Sequence, residues 1–196
     1  MFEGITRMFK ATAVLVVAVF ASVASVSAQS TAPAVSVSPT TKLESMQNES
    51  GSIIVVGSAN VGSINGLLGT RVLVESREIT NIGSRRQELG LLVEVKESAR
   101  AVICYVDLDE IAPLQRALDY LASVQPSVTR LENFHASYRT RGGLDVSADN
   151  TTAVKAAISI GPIHAPITLA ELHNFSELLA KAKTQMEALK NSQPAH

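Results

Sequence analysis

The chain has no tryptophan, a single cysteine, and only three tyrosines and five phenylalanines in 196 residues. Three of those phenylalanines, Phe2, Phe9 and Phe20, lie within the first 28 positions. The rest of the chain keeps Tyr105, Tyr120, Tyr138, Phe134 and Phe175. Single-stranded nucleic acid is held on exposed aromatic platforms along a basic groove. This chain is poor in aromatics, and its net charge is −1. Nucleic acid is therefore not an expected partner. With Cys104 alone, no disulfide can form within the chain, so the fold must rest on its core. Cys104 lies in the apolar run 101–106 and reads as a small buried hydrophobe.

Catalytic signatures are also missing. There is no Gly-x-Ser-x-Gly elbow, Ser-x-x-Lys pair, His-Glu-x-x-His helix or Gly-Lys-Ser/Thr loop. The readily identified serine hydrolases, zinc proteases and nucleotide-binding loops are thereby excluded. Gly57, Gly62, Gly66 and Gly69 precede a strand-like segment, whereas a phosphate loop must open a helix. They read as turn and bulge positions. His135, His164 and His173 are widely spaced and form no ligand pair, so neither a metal nor a cofactor is expected. Residues 107–110 (Asp-Leu-Asp-Glu) are the one acidic cluster, and their place at a strand–helix junction suits helix capping.

What the chain does have begins at its N-terminus. Arg7 and Lys10 precede the uncharged, nearly all-apolar run 11–21, and Val26-Ser27-Ala28 ends in small residues. That order predicts a cleavable signal over residues 1–28 and a periplasmic or secreted protein. The apolar run is short for a bilayer span of about 20 residues, so no stable membrane insertion is expected after cleavage. Loss of Glu3, Arg7 and Lys10 moves the net charge from −1 to −2. Residues 29–47 read as a flexible leader rich in Ser, Thr, Pro and Ala. Near its end, Thr41 and Glu44 are spaced as a capping box, with Leu43 and Met46 available to pack. Residues 191–196 form a polar tail.

The segment 48–190 reads as a single α+β domain. Period-two segments are expected at 53–56, 71–79, 89–95 and 101–106, and short links between them require antiparallel pairing. A helix follows, with Asp107 and Glu110 as its capping box and Pro113 either in its first turns or at its start. Further strands are expected at 131–141, 144–148 and 152–160, with Gly142-Gly143 as a hairpin turn. Pro162 and Pro166 bracket an expected loop. Thr168 and Glu171 then cap a helix that buries Leu169, Leu172, Phe175, Leu179, Ala182, Met186 and Leu189. The antiparallel sheet therefore comes in two sheet-then-helix halves, ββββα-βββα, with both helices packed on one face.

One constellation stands out. His135, Ser137, Arg139 and Arg141 share one face of a strand, and Arg85 and Arg86 sit at a turn of the first half. Arginine forks suit carboxylate, phosphate or sulfate, so Arg139 and Arg141, supported by His135, form the expected ligand-binding set. Exposed by alternation, both arginines are expected to tolerate alanine without loss of folding. No catalytic set is identified.

The stretches 63–66 (Ser-Ile-Asn-Gly), 92–97 (Leu-Val-Glu-Val-Lys-Glu) and 107–110 resemble a group of exported bacterial proteins of unknown function. In strand–helix order the chain is also similar to the Whirly and Pur nucleic-acid-binding folds. Topology alone does not transfer function. The expected function is an exported, non-enzymatic binding or interaction module that offers a sheet face or edge to a protein or small anionic ligand. The alternatives are an exported hydrolase built around His135 and Ser137, and nucleic-acid binding through the Whirly/Pur-like topology.

Overall fold

The computed structural model describes residues 41–151 and 155–192. The expected signal peptide and most of the leader lie outside the described residues. Two four-stranded antiparallel sheets are each followed by a long helix. The first sheet is a meander of β1 (Ile54–Asn65), β2 (Thr70–Asn81), β3 (Arg86–Glu97) and β4 (Arg100–Asp107), preceded by α1 (Lys42–Gln47) and followed by α2 (Leu108–Ser123). The second is β5 (His135–Arg139), β6 (Leu144–Asp149), β7 (Ala156–Ile160) and β8 (Ile163–Ile167), followed by α3 (Leu169–Ser192). Spatial order equals sequence order in both. The α+β, two-halved architecture read from the sequence is thus present, with a second sheet and an eighth strand.

Alternation builds one shared core. Val72, Val74, Leu91, Val93 and Val106 point inward from the first sheet, and Leu144, Val146, Ile158, Ile163 and Ile167 from the second. Ile111, Leu114 and Leu118 of α2 close it, together with Leu172, Phe175 and Leu179 of α3. Residues of the opposite parity face away, and Ile79 is one of them. It is buried under Leu43 and Met46 of α1, with Ile54 and Tyr105 packed alongside. Thr41 Oγ1 accepts from Glu44 N at 3.1 Å, the expected cap of α1. The leader therefore gives way to folded structure by Thr41.

Several local expectations change: β7 starts only at Ala156, and Asn191 and Ser192 belong to α3 and not to a tail. β1 is a single long strand, and the glycine-rich stretch lies inside it, with a bulge between Asn60 and Gly62. β5 is confined to His135–Arg139, because Phe134 N instead donates to Asn150 Oδ1 at 2.8 Å. Residues 163–167 are a strand and not a loop: Pro166 is tolerated because β8 is a sheet edge, where a missing N–H breaks no pairing. In α3, Leu169 and Leu189 are exposed and the other five expected residues are buried. Pro113 lies inside α2, which starts at Leu108.

Candidate functional site

The expected ligand face is present in outline. His135, Ser137 and Arg139 are exposed on β5, while Ala136 and Tyr138 are half-buried. Arg139 makes a forked contact with its cross-strand partner Asp145, 2.9 Å from Nε and 2.7 Å from Nη2. Arg141 is held elsewhere. Its Nη2 lies 2.6 Å from Asp109 Oδ1 and 3.4 Å from Asp107 Oδ2, and its Nε lies 3.3 Å from Glu110 Oε2. Its backbone N–H donates to Glu110 Oε1 at 2.8 Å. His135 stands opposite Asp149 at the other end of β5. The two guanidinium groups are thus already engaged by carboxylates of the domain, in two separate places.

The acidic cluster has a different task from the one its spacing suggests. Asp107 is the N-cap residue of α2, but its side chain makes no cap hydrogen bond there. Instead its carboxylate accepts from Lys42 N (3.0 Å) and Leu43 N (3.2 Å), the first amides of α1. Asp109 binds Lys42 Nζ at 3.2 Å as well as Arg141. Partial burial on its own would raise the Asp109 carboxyl. Hydrogen bonds and charge from Arg141 and Lys42 outweigh it and hold the group below the usual carboxylate range. This cluster therefore ties α1, α2 and the β5–β6 hairpin together. Among the described residues, no group of three or more His, Cys, Asp and Glu is arranged to hold a metal ion.

Cys104 is buried in the core. Burial foremost, then the negative charges of Glu110 and Glu44, push its thiol from an ordinary value near 9 up to about 12. The folded chain thus keeps a proton that the unfolded chain loses. That contribution to stability is complete below pH 9 and disappears as pH rises toward 12. Urea titrations across this alkaline range are expected to show a fall in stability that Cys104→Ala makes shallower. Alkylation of Cys104 is expected only after unfolding. Fast alkylation of the native protein would contradict this.

One Ser–His contact exists: Ser159 Oγ lies 2.6 Å from His164 Nδ1 across β7 and β8. No carboxylate contacts the other ring nitrogen among the described residues. The pair stands on the exposed side of the second sheet, and a base without an orienting group is a weak activator. A cleft of about 830 Å³ opens between the start of β3, α2 and the end of α3. Lys42, Arg85, Glu88, Asp109, Glu187 and Lys190 line it. The mixture of signs gives it no preference for an anion or a cation.

Among the described residues the least protected strand edge is β1. It forms one edge of the first sheet, and from Ile54 through Asn65 it contains neither a charged residue nor a proline. Val55 to Asn60 are all exposed, on both faces of the strand. Ile53 is 70% exposed, Val55 51% and Val56 41%. Long apolar edges template further pairing, and folded proteins usually blunt them. The other three edges are shorter and carry charges, a proline or a covering loop, Arg100 opening β4. β4 ends against the hairpin tip, where a Cβ on Gly142 would press into the Tyr105 carbonyl. β5 is short and carries His135 and Arg139. β8 contains Pro166 and is approached by Gly66.

Past the bulge, β1 is covered as well: Lys181 Nζ donates to Val61 O at 3.1 Å, and Gly62 sits under Leu178. The open part is therefore residues 54–60. Ile82 N donates to Ile53 O at 3.0 Å. By antiparallel alternation, Val55, Gly57 and Ala59 bond to β2, while Ile54, Val56, Ser58 and Asn60 direct N–H and C=O outward. The sequence signal for this edge was the uncharged run 50–70, whose glycines read more readily as turns. Comparisons of the chain with family models, curated proteins and solved structures give no match.

Proposed function

We propose that this domain is an interaction module that accepts an extended protein strand along β1, and that it acts after export directed by residues 1–28. The observation that carries this reading is the row of outward peptide groups from Ile54 to Asn60 on an uncharged, exposed edge. Strand addition draws affinity from main-chain hydrogen bonds, and pockets for alternate side chains add selectivity. With no charge along the edge, binding is expected to change little with salt. Arg139 and Arg141 are already paired with carboxylates of the domain, which supports β1 over the arginine pair as the surface for a partner.

A photo-cross-linking residue at Ser58, introduced in the producing cells, tests this. Adducts to protein are expected from Ser58 and none from a control position at Arg116 on α2. Equal labelling from both sites, or none from Ser58, would remove the reading.

A further inference from the structure

We infer that the strand taken up by β1 is β1 of a second copy of this chain, paired antiparallel about a two-fold axis beside Val55. The inference rests on the strand-acceptor reading above and names its occupant. The open peptide groups belong to Ile54, Val56, Ser58 and Asn60, so residues that exchange hydrogen bonds must come from this set on both copies. Setting the apolar stretch 53–56 against itself obeys that rule. Ile54 then meets the second copy's Val56, and Val55 meets its own counterpart.

The same register places the second copy's Ile53 directly across from Gly57. Opposed residues on paired strands share a face of the sheet. Ala59 pairs with Ser76, whose hydroxyl reaches Gln185 of α3, so the odd-numbered side of β1 is the α3 side. On that side lies a groove of about 240 Å³, lined by Gly57, Ala59, Met186 and Leu189 and, from β2, by Arg77 and Glu78. Gly57 contributes no side chain to it. Ile53, 70% exposed, is the knob that fits. Two-fold symmetry repeats the contact, which makes the interface self-complementary. No charge occurs from Ile53 to Asn60, so antiparallel self-pairing opposes no like charges.

Sedimentation velocity of the chain beginning at Gln29 should show a reversible monomer–dimer equilibrium, on the order of micromolar for an interface of this modest size. Val55→Lys and Val55→Glu should each stay monomeric, because like charges meet on the axis. An equimolar mixture of the two should form a heterodimer. Gly57→Leu should weaken dimerisation at least about tenfold by filling the groove from within. That variant is expected to fold, since a Cβ at Gly57 finds its nearest neighbour, Glu78 Cβ, at 3.7 Å. A wild-type chain that stays monomeric at every concentration overturns the inference. So does dimerisation of Val55→Lys alone, or failure of the mixed pair to associate. If the wild type is monomeric while Ser58 still cross-links to another protein, only the choice of occupant falls. If both signals are absent, the strand-acceptor reading falls with it.

Discussion

Gly142→Ala is expected to destabilise the domain by about 2–4 kcal/mol and to lower its melting temperature by about 6–12 °C. The β5–β6 loop is closed by Thr140 N to Leu144 O at 2.9 Å and Gly143 N to Thr140 O at 3.1 Å. Gly143 has φ +85, the left-handed residue that such three-residue loops require. Gly142 needs no special φ. Its constraint is space: a methyl group there would run into the backbone oxygen of Tyr105 and lie 3.1 Å from Thr41 Cγ2. Backbone cannot give way as a side-chain tip does, so the hairpin must lift and take Arg141 from its carboxylates. Gly143→Ala meets no neighbouring atom and should cost only about 1 kcal/mol, through its φ. Thermal denaturation of both variants separates the two causes. Equal, small losses would show that the tip is not seated on β4.

Asp107→Ala should have a comparable effect, about 3 kcal/mol. Its side chain is 2% exposed. Hydrogen bonds to a charged group contribute about 1.5–3 kcal/mol each, and donors left behind add a desolvation cost. The substitution orphans Lys42 N and Leu43 N at the start of α1 and removes the 3.4 Å partner of Arg141. The consequence is local as well as global. Leu43 and Met46 stay buried only while α1 is docked, so proteolysis between α1 and β1 should accelerate before the domain melts. Arg141→Ala should cost about 1–3 kcal/mol, because the little-exposed carboxylates of Asp107 and Glu110 would each lose this cation. Arg139→Ala, which breaks only an exposed pair with Asp145, should cost less than about 1 kcal/mol. Exposure alone predicts that both arginines are dispensable. The long-range contacts of Arg141 raise the expected cost for one of them.

Much of the architecture was legible because it rests on alternation. Val72 and Val74, Leu91, Val93 and Val95 announce inward faces by spacing alone, and Thr41 and Thr168 bond to Glu44 N and Glu171 N as their capping spacing predicts. Failures came where tertiary context overrides a local signal. Pro166 reads as a strand breaker, yet an edge strand has no use for its N–H. Gly57 and Gly62 read as turns, yet one lies in an open edge and the other at a bulge beneath Leu178. Asp107 and Glu110 have capping-box spacing, but their oxygens reach partners 64 and 31 positions away. The period of a strand says that Arg141 points outward. It cannot say which carboxylates another element brings to that side.

Residue-resolved amide exchange on the dilute chain shows whether the edge of β1 is open. Ile54, Val56, Ser58 and Asn60 should exchange rapidly, while Val55, Gly57 and Ala59, bonded to β2, should be protected. Ile54 and Val56 should slow as the second copy pairs. Uniform protection from residue 54 to residue 60 in the dilute monomer would mean that the edge is already closed and that β1 accepts no strand.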